Sequence, residues 1–133
     1  MNNKGFTLIE LLAVILILGF IMVITVPQIK KSLFKASQAA YNKQISLIET
    51  SAKKWGADND VKLPDIGTNS IITVDFQTLM DGGYLKNEKI LNPITEEELI
   101  GCVRISYDND YNQYEYRYSD NILECEIYNI NSL

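Results

Sequence analysis

A single carboxylate, Glu10, sits near the start of a stretch that otherwise carries no charge from Phe6 to Val26. Those 21 residues are long enough to cross a hydrocarbon core of roughly 30 Å as a helix. A carboxylate in such a run costs on the order of 2–3 kcal/mol even on the mildest insertion scale, so it calls for a functional partner. Lys4-Gly5 and the aromatic Phe6 stand just ahead of it. A helix places residues i and i+4 on one face, so Glu10 lies about 6 Å along the axis from Phe6.

The remaining chemistry is sparse. The chain has no histidine and only two cysteines, Cys102 and Cys125. That removes the common zinc patterns and any histidine-based catalytic relay. No Gly-x-Ser-x-Gly, phosphate-binding loop or paired-carboxylate motif is present, so no catalytic residue is assigned and the chain is read as no enzyme. The two cysteines are read as one disulfide, whose loop would constrain the unfolded chain by about 3 kcal/mol; two separately buried thiols are the alternative.

Gly5-Phe6-Thr7-Leu8-Ile9-Glu10-Leu11-Leu12 resembles the class III signal of type IV pilins and pseudopilins. A generic secretory signal places its apolar region before a small-residue cleavage site, and here the apolar run comes after the cut that the resemblance implies. The resemblance implies cleavage by prepilin peptidase between Gly5 and Phe6 and N-methylation of Phe6. It further implies that Glu10 meets the new amino group of a neighbouring subunit and so sets the axial register. Identical or related pilin subunits, assembly platform proteins and membrane lipids are the other partners it implies. It places the chain in the cytoplasmic membrane in a single pass, with the N-terminus on the inner side, before the subunit enters an extracellular or cell-surface filament. The charges do not choose that orientation, because Lys4 lies on one flank and Lys30, Lys31 and Lys35 on the other.

These residues need a long helix to position them. Ile29, Leu33, Ala36, Ala40, Ile45, Ile48, Ala52 and Trp55 continue the apolar pattern at steps near the helical period of 3.6. A helix from Phe6 to about Trp55 would run roughly 75 Å, with Gly56 as its stop. Pro27 removes one backbone hydrogen bond and is expected to kink it, and Gly19 weakens it. Pilins resembling this chain carry a proline near that place, where the helix bends or unwinds on entering the filament. Residues 1–5 are therefore read as leader, 6–27 as transmembrane and assembly helix, 28–56 as amphipathic helix, and 57–133 as a small head.

The head is acidic and the helix before it basic. Between Gln28 and Gly56 six lysines face one glutamate, whereas from Ala57 onward fifteen acidic residues face five basic ones. That balance suits subunits stacked with staggered contacts and argues against a head that grips DNA by charge. Ile71–Val74 reads as a strand, Asp75 as the cap of a short helix over Phe76–Asp81, and Gly82-Gly83 as its end. This segment, through Tyr84-Leu85, is similar to an element of many pseudopilin heads. Thr95-x-x-Glu98 has capping-box spacing and predicts a single helical turn. Cys102–Tyr107, Tyr114–Tyr118 and Leu123–Ile127 alternate and predict a three-stranded antiparallel meander.

Two head features invite a ligand. Asp108-Asn109-Asp110-Tyr111-Asn112 opens like a calcium loop, and some pseudopilin heads hold calcium in a C-terminal loop. Gln113 stands where glycine is needed and Ser119 where a bidentate glutamate is needed, so a hairpin turn is preferred and no cofactor or metal is assigned. Of the eight tyrosines, six follow Arg104. They are read as covering a half-buried sheet with their hydroxyls in water, rather than as a base- or sugar-stacking face.

The fold class is thus α+β: a long N-terminal helix packed on a small antiparallel sheet. The function read from it is a structural subunit of a type IV pilus or pseudopilus serving DNA uptake, secretion, adhesion or motility. The rival is a single-pass anchored binding or sensory protein that does not polymerise.

Overall fold

The computed structural model describes residues 5–132. The chain forms two compact units, one ending at Gln38 and the other beginning at Ala39. The helix α1 (Leu8–Asp58) supplies all of the regular structure of the first and the opening element of the second.

Within the first unit the helical assignment continues through Gly19 and Pro27. Pro27 has no N–H to give the Val23 carbonyl, and the hydroxyl of Thr25 donates to the Ile21 carbonyl at 2.9 Å. Every large apolar side chain from Leu8 to Phe34 is exposed.

The second unit is α+β. Its elements after α1 are β1 (Ile71–Asp75), α2 (Phe76–Asp81), β2 (Cys102–Asp108), β3 (Gln113–Ser119) and α3 (Ile122–Ile127). The strands form one antiparallel sheet in the order β1-β2-β3. Ile72 lies opposite Ile105 and Val74 opposite Val103, and these two pairs continue to Tyr116 and Tyr118 on β3. Strand side chains alternate between faces, so one face carries these apolar residues and the other carries Thr73, Cys102, Arg104 and Arg117. Ile48, Ala52 and Trp55 of α1 pack on the apolar face with Leu79 of α2, and Ile90 and Leu99 complete the core.

The structure corrects the predicted meander. Leu123–Ile127 is helix α3, and the third strand is Ile71–Asp75, earlier in the chain. Five residues alternating as Leu-Glu-Cys-Glu-Ile also place Leu123 and Ile127 at i, i+4, so period alone does not separate strand from helix. The side chain of Asn121 decides for the helix by accepting the Glu124 N–H.

Two further expectations fail locally. Residues 95–98 form no helical turn: Glu96 has φ 61°, and Leu91 bridges Glu98 to close a tight loop. Gly56 does not stop α1, which continues to Asp58. It is needed instead for close approach, because a Cβ there would stand 2.2 Å from the Tyr116 hydroxyl. Gly101, ahead of β2, has φ 136°, and a Cβ on it would meet the Ser119 carbonyl at 2.2 Å. The short helix α2 forms where predicted, with Asp75 Oδ1 accepting the Thr78 N–H at 2.8 Å.

Candidate assembly site

Gly5, Phe6 and Thr7 precede the first helical turn. Among the described residues nothing lies within 4 Å of a Cβ built on Gly5, so no packing contact with them requires glycine there. Phe6 is exposed, and the peptide bond before it has no helical hydrogen bond among the described residues.

Thr7 and Glu10 cap the start of α1 reciprocally. The Thr7 N–H donates to Glu10 Oε2 at 3.1 Å and the Glu10 N–H to Thr7 Oγ1 at 3.2 Å. The Thr7 hydroxyl also donates to Glu10 Oε2, at 3.4 Å. This is a capping box, Thr7-x-x-Glu10, which satisfies two amide donors that helix geometry leaves unpaired. Sequence reasoning missed Thr7 although the Thr-x-x-Glu spacing is legible, because the resemblance assigns Glu10 to a neighbouring subunit and not to its own helix start. A carboxylate near a helix N-terminus is also favoured by the helix dipole. Glu10 is therefore held and aimed at the N-terminal end of the helix, where the chain's own amide takes part of its accepting capacity. The carboxylate retains lone pairs for a cation.

Beyond Glu10 the apolar window of α1 buries none of its residues in the protein. By length and composition this segment suffices to cross a membrane. Pro27 lies just beyond the apolar run, ahead of Lys30 and Lys31.

In the second unit, Cys102 of β2 and Cys125 of α3 are joined by a disulfide, with Cα atoms 5.7 Å apart. The bond lies on the outer face of the sheet, away from α1, where the Thr73 hydroxyl also donates to the Cys125 carbonyl at 3.0 Å. The predicted calcium run forms the β2–β3 turn, in which Asp108 Oδ1 accepts the N–H groups of Asp110 and Tyr111. Tyr114 and Tyr118 do not leave their hydroxyls to water as predicted. The first donates to the Pro64 carbonyl at 2.7 Å and the second to the Ile100 carbonyl. Burial foremost, then Tyr41 and Asp120, pushes the Tyr118 phenol up to about 12. Burial foremost, then Tyr114, raises Tyr116 as well. Glu49 of α1, a residue sequence reasoning passed over, accepts the Tyr118 N–H at 3.1 Å and so ties β3 to the helix.

A reciprocally capped helix start, one carboxylate and an unburied apolar helix fit a membrane-anchored, pilin-like class of protein. Residues 1–26 match the family described as the prokaryotic N-terminal methylation motif. The ComG operon protein 3 homolog of Bacillus licheniformis is 32% identical over 65 residues, which cover 49% of this chain and 67% of that protein. The chain belongs to the type IV pilin-like family. Members of that family are structural, non-enzymatic subunits, and membership implies association with other pilin subunits. No solved structure matches the chain.

Proposed function

We propose that this protein is a subunit that prepilin peptidase cuts between Gly5 and Phe6 and that then assembles from the cytoplasmic membrane into a helical filament. The observation that carries this reading is Glu10, a lone carboxylate capped onto the start of an apolar helix that its own chain leaves uncovered. Cutting before Phe6 creates an amino group that must be neutralised in an apolar filament core. Glu10 of a neighbouring subunit neutralises it and sets the axial register, with methylation placed on that same Phe6 nitrogen. Leaving the bilayer then exchanges lipid for the apolar helices of neighbours, with Pro27 marking where α1 yields. Before that step the N-terminus faces the cytoplasm and the head is exported, which favours the disulfide. The ComG operon protein 3 homolog among its relatives favours a competence system over secretion, adhesion or motility. Platform proteins and lipids are the partners of assembly, and no cofactor is required.

Intact-mass measurement of the full chain, expressed with and without prepilin peptidase, tests the cut. The expected product lacks the residues through Gly5 and carries one added methyl group. Full-length protein in the presence of active peptidase overturns the reading and leaves a permanent membrane anchor.

A further inference from the structure

The second unit carries two exposed apolar patches of opposite charge, on opposite faces of its sheet. The first is built on α1 and the loop before β2: Leu47 is 55% exposed and Leu91 53%, with Pro93 beside them. Leu47 lines both of two adjoining grooves, one of which reaches Lys43 and the other Lys86, Glu88 and Lys89. Lys86 and Glu88 pair with each other and leave Lys89 as the net charge. Neither Lys43 nor Lys89 has an ion-pair partner among the described residues. The second patch is α3, where Leu123 is 69% exposed and Ile127 64%. Their i, i+4 spacing puts them on one side of the helix. Asp120 and Glu126 flank them, again with no ion pair among the described residues, whereas Glu124 is engaged by Arg104.

The two patches cannot serve one two-fold contact. α1 covers the face of the sheet that carries Val103 and Ile105, and α3 is bound to the other face through Cys102, Thr73 and Arg104. A contact between different patches of identical subunits propagates instead of closing in a pair, and it yields a ring or an open helical array. We infer that the basic apolar groove of one copy takes α3 of the next, Leu123 and Ile127 seating over Leu47 and Leu91 with Lys43 and Lys89 against Asp120 and Glu126. The occupant is a second copy because its own chain supplies the complementary charge and the matching apolar pair. This inference rests on the assembly reading above and specifies which head surfaces meet.

The test is cysteine cross-linking of the full chain in its producing cells, followed by non-reducing gels. Leu47→Cys with Leu123→Cys in one chain is expected to give a ladder of multimers at least tenfold above either single variant. Both sites are exposed, and the native cysteines are bonded to each other. A second arm replaces Lys43 and Lys89 with Glu, which should abolish the ladder, and then also replaces Asp120 and Glu126 with Lys, which should restore it. A double-cysteine variant that gives no more product than the singles overturns the pairing, whether or not filaments are recovered. So does a Leu47→Cys single that dimerises as fully as the double. The yield of cleaved, sheared filaments from the unmodified chain reads the assembly itself, so the two readings fail separately.

Discussion

From Leu8 to Phe34 the apolar side chains of α1 touch no core, whereas Ile48, Ala52 and Trp55 of the same helix are buried in one. Composition separates these segments. As far as Val26 the first carries no charge but Glu10 and is apolar on all sides, a pattern that suits lipid or a ring of neighbouring helices. The second confines its apolar residues to one stripe, which a small sheet can cover. Burying a large aliphatic side chain contributes roughly 1.5–3 kcal/mol, so the head gains from α1 at once. The first segment gains only from whatever surrounds it. One helix thus carries part of a self-sufficient core over one segment and an apolar surface that its own chain leaves uncovered over the other.

The largest expected effect would break this comparison at Glu10. In Glu10→Leu, insertion should be unchanged or improved and cleavage should persist, because the expensive charge is gone and Gly5-Phe6 remains. Incorporation should fail, since each incoming amino group would be buried without a counter-charge at a cost of several kcal/mol. The check is sheared-filament yield beside the cleaved membrane pool, with Glu10→Gln as companion. Filaments at the wild-type level would reduce Glu10 to a helix cap.

A matched pair of truncations sharpens the contrast. Ile48→Ala should cost the head about 2–5 kcal/mol, because it opens a cavity in a closed core. Leu16→Ala should leave head unfolding in detergent unchanged within about 0.5 kcal/mol. Equal losses in denaturant titrations would show that the two segments are not energetically distinct.

Comparable but smaller is the effect of opening the disulfide. Cys125→Ser should lower head stability by about 3 kcal/mol and leave the membrane segment untouched. Protein recovered without reductant should resist alkylation; two reactive thiols would refute the bond.

Gly56→Ala should destabilise by about 1–3 kcal/mol despite the better helix propensity of alanine, since the new methyl group meets the Tyr116 ring. A stabilised variant would mean that the ring gives way.

The smallest effect is in pH. Folding favours the protonated Tyr118 phenol, so its contribution is complete below the ordinary tyrosine value near 10. That contribution is lost as pH rises toward about 12. Head stability followed by circular dichroism should fall across that window, and less steeply in Tyr118→Phe. Identical slopes would remove Tyr118 from the account.

What the sequence determined by itself is strongest where the chain acts locally. The apolar length from Phe6 to Val26, the isolated Glu10 and the stripe through Ile48, Ala52 and Trp55 depend on composition and a helical period. Such signals need no partner in the fold to be read. The Asp75 cap and the strands over 71–74, 102–107 and 114–118 were legible for the same reason. Only the tertiary structure decided the rest. Leu123–Ile127 is too short for its period to discriminate, so the Asn121 cap and the bond from Cys125 to Cys102 assign it to a helix on the outer face. Gly56 looked like a helix end because glycine is common there. Its reason is a Tyr116 ring brought from sixty residues away. The same holds for Gly101 against Ser119 and for Glu49 against the Tyr118 amide. Contacts between distant residues carry no local periodic signature, and they set which glycine is indispensable and which carboxylate ties the sheet to the helix.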